Sequence, residues 1–231
     1  MKFKILTFIL LVNVAYLSGQ KSGNVTYIIK PIAFEVKEDA KQKEIVNEII
    51  KNAEKQKFIL EFNSHQSAFY YMEDLSNQEL KEDLIYQLAA KRFTSDFHYY
   101  LNSNENKEFF LKNDGYTIEN TYLKKDWKIT TETKTIDNYL CYKAIYEYDY
   151  LARDKKIKTR IITAWFAPNL PFSYGPKNYN GLPGLILELQ DWDTTFLATK
   201  IELFDKEIKI DFPKGKTITQ EEYERKVLSG N

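Results

Sequence analysis

Hydrophobic positions recur with a period of two over most of the chain and with a helical period in only a few windows. Val25, Tyr27 and Ile29 stand at every second position before Pro31 interrupts, which predicts a strand with an edge or bulge proline. Between Glu38 and Gln56 the period changes. Ile45, Val46, Ile49, Ile50 and Ala53 recur at helical spacing among Lys and Glu, the pattern of an amphipathic helix that covers a sheet. Phe58, Leu60 and Phe62 alternate again, and Ala68 to Met72 reads as their hairpin partner across Asn63-Ser64-His65-Gln66. Ser76 and Glu79 then form a capping box, followed by Leu80, Leu84 and Leu88 at i, i+4 and i+8, which predicts a second helix.

From Phe93 onward, short runs of Tyr, Phe, Trp, Ile and Thr are separated by polar turns such as Asn113-Asp114-Gly115 and Asp137-Asn138. The spacing predicts strands near 95–101, 106–112, 116–124, 127–135, 138–150, 156–167, 185–191, 194–204 and 206–211, connected as a meander, with a short helix near 219–228. Within 140–150 the even positions Leu140, Tyr142, Ala144, Tyr146, Tyr148 and Tyr150 make an aromatic face opposite Cys141, Lys143, Glu147 and Asp149. Within 156–166 the odd set Ile157, Thr159, Ile161, Thr163 and Trp165 opposes Lys156, Lys158 and Arg160, which predicts a charged face near the strand start. Seventeen tyrosines are many for a dry core, because each buried hydroxyl needs a partner, so part of the aromatic face is a candidate groove.

The fold class that follows is α+β and predominantly antiparallel β. We expect a curved sheet or open half-barrel with two helices from the N-terminal third packed on it and a short C-terminal helix. No Pro, Gly or Ser linker and no repeat of fixed period divides the 231 residues, so a single domain over 21–231 is expected. The first twenty residues differ from the rest. Met1-Lys2-Phe3-Lys4 is a short basic start, Ile5 to Leu17 is apolar apart from Thr7 and Asn13, and Ser18-Gly19 supplies small residues, the layout of a signal peptide ending near residue 20. A membrane span needs about 18 or more apolar residues, and the polar run from Gln20 comes too soon. With no Cys in this segment for a lipid anchor, the expectation is an exported protein of the periplasm or the cell exterior with no transmembrane span after cleavage.

Charge narrows the partners. Thirty-three Lys and Arg against thirty-three Asp and Glu, interspersed along the chain, leave no basic stripe, which argues against nucleic acid. Cys141 is the only cysteine, so no internal disulfide is available even outside the cytoplasm, and it reads as a packed small hydrophobe. His65 and His98 lack the companions and spacing of a zinc site, and phosphate-cradling or dinucleotide glycine patterns are absent, so no metal and no cofactor are expected. Asp191 and Asp193 flank Trp192 at strand spacing, an arrangement that reads first as a turn. Paired carboxylates about 5–10 Å apart could also serve glycoside hydrolysis.

The segment 164–191 holds four of the six prolines and three of the eight glycines. Leu182-Pro183-Gly184-Leu185 fits a type II turn, and Pro176 after Gly175 and Gly181 after Asn180 add further constraints, so this long loop is expected to be ordered. Gly181-Leu182-Pro183-Gly184-Leu185-Ile186 is the hexapeptide for which the GLPGLI family of secreted bacterial envelope proteins is named, and the chain resembles that family. The likeness extends over Trp127-Lys128-Ile129, Lys134, Ile136, the run Tyr139 to Ala144, Ala164-Trp165-Phe166 and Gly175-Pro176, roughly residues 110–200. Asp137-Asn138 stands where the family tends to have a glycine, and Asn also tolerates turn geometry.

The resemblance implies an exported β-rich protein and no defined chemistry. Two readings follow. In the first, the protein is a non-catalytic binding or accessory protein for a lipid, glycan or envelope protein partner, with Trp165, Phe166, Tyr174, Tyr179 and Trp192 as candidate ligand-binding residues and no catalytic residue. In the second, it is a secreted hydrolase acting on glycan or peptide through Asp191, Asp193 or Glu188.

Overall fold

The computed structural model describes residues 19–32, 40–72, 88–89, 97–152 and 154–229. The leader 1–20, apart from its last two residues, lies outside the described residues, as does the second predicted helix except Leu88 and Ala89, which are helical. Twelve strands form one open sheet: β1 (Ser22–Pro31), β2 (Lys57–Phe62), β3 (Gln66–Tyr71), β4 (Phe97–Asn102), β5 (Lys107–Lys112), β6 (Thr117–Thr121), β7 (Lys128–Ile136), β8 (Tyr139–Leu151), β9 (Ile157–Ala167), β10 (Leu185–Asp191), β11 (Thr194–Phe204) and β12 (Thr217–Ile218). Among the described residues, the helices with both ends in view are α1 (Ala40–Ala53) and α2 (Gln220–Ser229).

The strand order β12-β6-β5-β4-β3-β2-β1-β11-β10-β9-β8-β7 joins two meanders. β1 is the seam. It pairs antiparallel with β2 over Gly23–Ile28 and with β11 along its whole length, so the first strand of the chain closes the gap between the N-terminal and C-terminal halves. Its period-two apolar set explains this central place, since Val25, Tyr27 and Ile29 are fully buried. The sheet is antiparallel except at one edge, where β12 runs parallel to β6.

The expected strand at 206–211 does not form. Both edges of β1 are already taken by β2 and β11, so the segment crosses the sheet end held by side chains instead of a ladder. Ser22 Oγ donates to the Lys206 carbonyl (2.6 Å) and accepts from the Ile208 amide (3.2 Å), and Asn63 Nδ2 donates to the Ile208 carbonyl (3.0 Å). α1 covers the sheet only in part. Ala53 is buried and Ile49 and Ile50 pack on the core, but Ile45 is largely exposed.

One face of the sheet carries the core. Across it, Phe58 stacks on Phe69 at 5.5 Å and meets Phe196 edge-on at 5.4 Å, with Tyr27 beside Phe69 at 6.1 Å. From Tyr142 onward the even positions of β8 join this face as expected, with Ala144 buried and Tyr142, Tyr146 and Tyr148 packed against the core, but at the strand's start the expectation is reversed, because Cys141 is buried and Leu140 faces water. In β9 the expected inward set is reversed. Ile162, Ala164 and Phe166 are buried, whereas Ile157 and Ile161 face water. Apolar residues stand on both faces of this strand, so alternation alone did not fix its parity.

Candidate functional site

Between β9 and β10 the Pro- and Gly-rich loop 168–184 folds back over the core face of the sheet. Its own backbone orders it. Phe172 N donates to Leu170 O (2.7 Å), Gly181 N to Ser173 O (2.9 Å) and Tyr179 N to Pro176 O (3.2 Å). The loop then meets the start of β10, where Leu185 N donates to Leu170 O and Ile186 N to Tyr174 O, both at 2.9 Å. This corrects the expected type II turn. The Leu185 amide is spent on Leu170, and Gly184 has φ +157° where a type II turn needs about +80°. Gly184 is required for another reason, since a Cβ there would overlap the Ala167 carbonyl and come within 2.9 Å of Pro168 Cα. Gly175 is equally confined, with the Ile186 side chain 2.6 Å and the Tyr179 carbonyl 2.9 Å from where its Cβ would stand.

The hexapeptide therefore reads as packing. Leu182, Leu185 and Ile186 are buried, and the Tyr27 hydroxyl on the central strand donates to the Ile186 carbonyl at 2.5 Å. Phe172 and Tyr174 sit on Phe62 with ring centroids 4.6 and 5.9 Å apart, and Trp127 Nε1 donates to the Asn180 carbonyl at 2.9 Å. Burial pushes the hydroxyls of Tyr27, Tyr174 and Tyr179 far above the ordinary tyrosine value, so they stay protonated.

Charged groups clamp the loop at two places. On one side Lys177 Nζ donates to Asp191 Oδ2 at 2.7 Å, and Arg160 Nη2 lies 2.7 Å from Asp191 Oδ1 as an ion pair out of hydrogen-bond line. Asp191 is 5% exposed, and Arg160 also lies over the Trp192 ring, 4.9 Å from its centroid. On the other side Glu108 of β5 accepts from Asn178 near Lys125. Burial raises the Glu108 pKa against the opposing pull of Lys125 and Asn178, and burial likewise lowers that of Lys125. Between loop and sheet, Ser67, Tyr99, Leu101, Glu108, Tyr179 and Asn180 line a gap of about 10 Å³, room for a single water.

The five candidate ligand residues are not brought together. Phe166, Tyr174 and Tyr179 are buried in the core beneath or within the loop. Trp165 points to the opposite face, where Lys134 lies 4.3 Å from its ring centroid and also pairs with Glu188 at 2.7 Å. Trp192 is 55% exposed at the β10–β11 turn, with Tyr150 at 6.4 Å. Asp191 and Asp193 flank a turn, the first reading of their spacing, because Trp192 and Asp193 are the two residues that connect β10 to β11 and strand alternation stops at Asp191. Arg160 and Lys177 are the residues that sequence reasoning missed. A carboxylate at the end of a strand that opens on the apolar Leu185-Ile186-Leu187 was the available sign that a counter-charge had to lie nearby.

The chemistry this arrangement offers is limited. A carboxylate with each oxygen against a cation is ill placed to take or give a proton at a substrate. Cys141 is fully buried, and burial lifts its thiol to about 11, far from a reactive thiolate. Among the described residues no group of three His, Cys, Asp or Glu side chains is placed to hold a metal ion, and no helix is long and apolar enough to cross a membrane.

Comparison with known proteins agrees with the resemblance read from the hexapeptide. Residues 147–188 match the family model Porph_ging, a protein of unknown function, which is the GLPGLI family. No curated protein matches the chain. Two crystal forms of PNGF-II share its fold with a TM-score of 0.53, at 16% and 17% identity over 90% of this chain. The chain spans 33% of their length. LprF from Mycobacterium bovis, at 10% identity over 85% of this chain and 91% of that one, has a TM-score of 0.27, below that of a shared fold.

Proposed function

We propose that the protein is a non-catalytic accessory domain of the bacterial envelope, exported by its N-terminal leader, that works through its outer surface. The observation that carries this reading is the loop packed on the aromatic face. Among the described residues, the face that could have been a groove is covered by the chain's own loop, and the gap between loop and sheet has room for about one water and none for a lipid or glycan. The fold's occupation of a third of a longer chain in PNGF-II supports an accessory role. The hydrolase reading loses its best-placed acid, because Asp191 is neutralised by Arg160 and Lys177.

Native mass spectrometry of the protein purified from its host's envelope fraction tests this. A bare polypeptide mass lacking residues near 1–20, and no turnover on a panel of glycans and peptides, is the expected result. A discrete cargo mass that disappears on denaturation, or turnover that Asp191→Asn removes from a folded protein, overturns it.

A further inference from the structure

β8 and β9 outrun their neighbours. β7 pairs with β8 only as far as Ile145, and β10 pairs with β9 only from Ile162, while β8 and β9 stay paired with each other out to Leu151 and Ile157. Residues 146–161 therefore run past both neighbouring strands as a two-stranded ribbon, anchored at its base by Tyr146 and Tyr148 on the core and by Arg160 on Asp191. On the face turned away from the loop, Leu151 stands directly across from Ile157, 71% and 74% exposed, with Ile161 next at 57%. The turn at its end is basic. Its sequence reads Ala152-Arg153-Asp154-Lys155-Lys156-Ile157-Lys158, and Asp154 pairs with Lys158 at 3.1 Å. Lys155 and Lys156 are exposed and make no ion pair among the described residues.

We propose that this arm docks on an anionic lipid surface, Leu151 and Ile157 entering the boundary of the acyl region while Lys155 and Lys156 meet lipid phosphates. Two features of one tip point to the same partner. Large aliphatic side chains held in water call for hydrocarbon, which a soluble polyanion does not supply, and clustered lysines call for phosphate, which a neutral apolar surface does not supply. The attraction is local, since the chain as a whole has equal numbers of basic and acidic residues. Trp192 lies on the other side of the ribbon, with Arg160 and Tyr150 against it, and an exposed amphipathic ring suits the headgroup level. The proposal rests on the reading that the protein acts through its surface in the envelope.

Co-sedimentation of the full chain with phosphatidylglycerol vesicles, against vesicles of phosphatidylcholine alone, tests it. The arm variants share one N-terminus with the parent, so any contribution of the apolar leader cancels. Binding to the anionic vesicles that salt reverses is expected, with Lys155→Glu/Lys156→Glu lowering the partition coefficient roughly 30-fold or more and Leu151→Ser/Ile157→Ser lowering it roughly 10-fold or more. Far-UV circular dichroism confirms the fold of each variant. Equal binding by parent and both variants, or binding to a soluble acidic polysaccharide but to neither vesicle, overturns the assignment. Either result leaves the non-catalytic reading standing, since only cargo or turnover overturns that.

Discussion

The segment 147–188 that matches the family model contains two regions built on opposite principles. The loop 168–184 is shut in. Gly175 and Gly184 stand where no side chain fits, its tyrosines are buried, and its one lysine is tied to Asp191. The arm 146–161, one strand-length away, has no paired strand on either outer edge and presents Leu151 and Ile157 to water. A conspicuous motif and a functional surface need not coincide. The hexapeptide marks where backbone must approach backbone, and the ordinary-looking hairpin before it carries the exposed chemistry.

The largest effect that can break this contrast lies in the ion cluster. In Asp191→Ala, Arg160 and Lys177 are left against the core without their carboxylate. Breaking a buried pair costs about 3–5 kcal/mol, and since the Arg160 and Lys177 side chains retain 28% and 15% exposure, a loss of about 3 kcal/mol is expected, read as a lowered urea midpoint with unchanged slope. An unchanged midpoint shows that the loop is not locked at this point. Gly184→Ala comes next. The added Cβ would overlap the Ala167 carbonyl, so either the loop or the β9 end must shift, at about 2 kcal/mol. A neutral substitution there means that the hexapeptide glycine has a role other than close packing.

How much of this was legible beforehand differs between the two regions. The strands that bound the loop, expected at 156–167 and 185–191 and found at Ile157–Ala167 and Leu185–Asp191, were readable nearly to the residue, because the Pro- and Gly-rich segment separates them. The loop's order was readable from its prolines. Its destination was not, since turn chemistry specifies a local bend and says nothing of which sheet face the bend lies on. The pairing of Asp191 with Arg160 and Lys177 joins residues far apart in sequence, and no local pattern reports it. The arm was hidden for a different reason. Strand lengths near 138–150 and 156–167 were read correctly, but that β7 and β10 stop short of their partners is a property of pairing register, which hydrophobic alternation does not encode.

A smaller effect sharpens the contrast through pH. Glu108 is held against the loop by Asn178, and burial raises its folded pKa above its unfolded one. In that window the folded state binds more protons than the unfolded state. The contribution to stability is therefore complete below the unfolded carboxylate value and is lost as pH rises through the raised folded value. Glu108→Gln removes this dependence, so the stability difference between variant and parent should shift in the variant's favour as pH rises from the acid side to neutrality. Parallel stability curves for the two proteins would mean that Glu108 keeps an ordinary environment in the fold.

The smallest effect belongs to the arm, and its smallness is the point. If Leu151 and Ile157 served the fold, replacing either by Ser would remove buried apolar area and lower the urea midpoint, as at any core position. Both side chains are more than two-thirds exposed, so Ile157→Ser should change stability by no more than about 0.5 kcal/mol. The Leu151–Ile157 cross-strand contact accounts for what little is lost. A cost of 2 kcal/mol or so would mean that something in the protein covers this face, placing the arm with the loop as a packing element. A cost near zero leaves two aliphatic side chains at a basic tip that the fold does not need, and makes the vesicle experiment a clean test, because loss of binding in the same variant then reports the surface and not the stability beneath it.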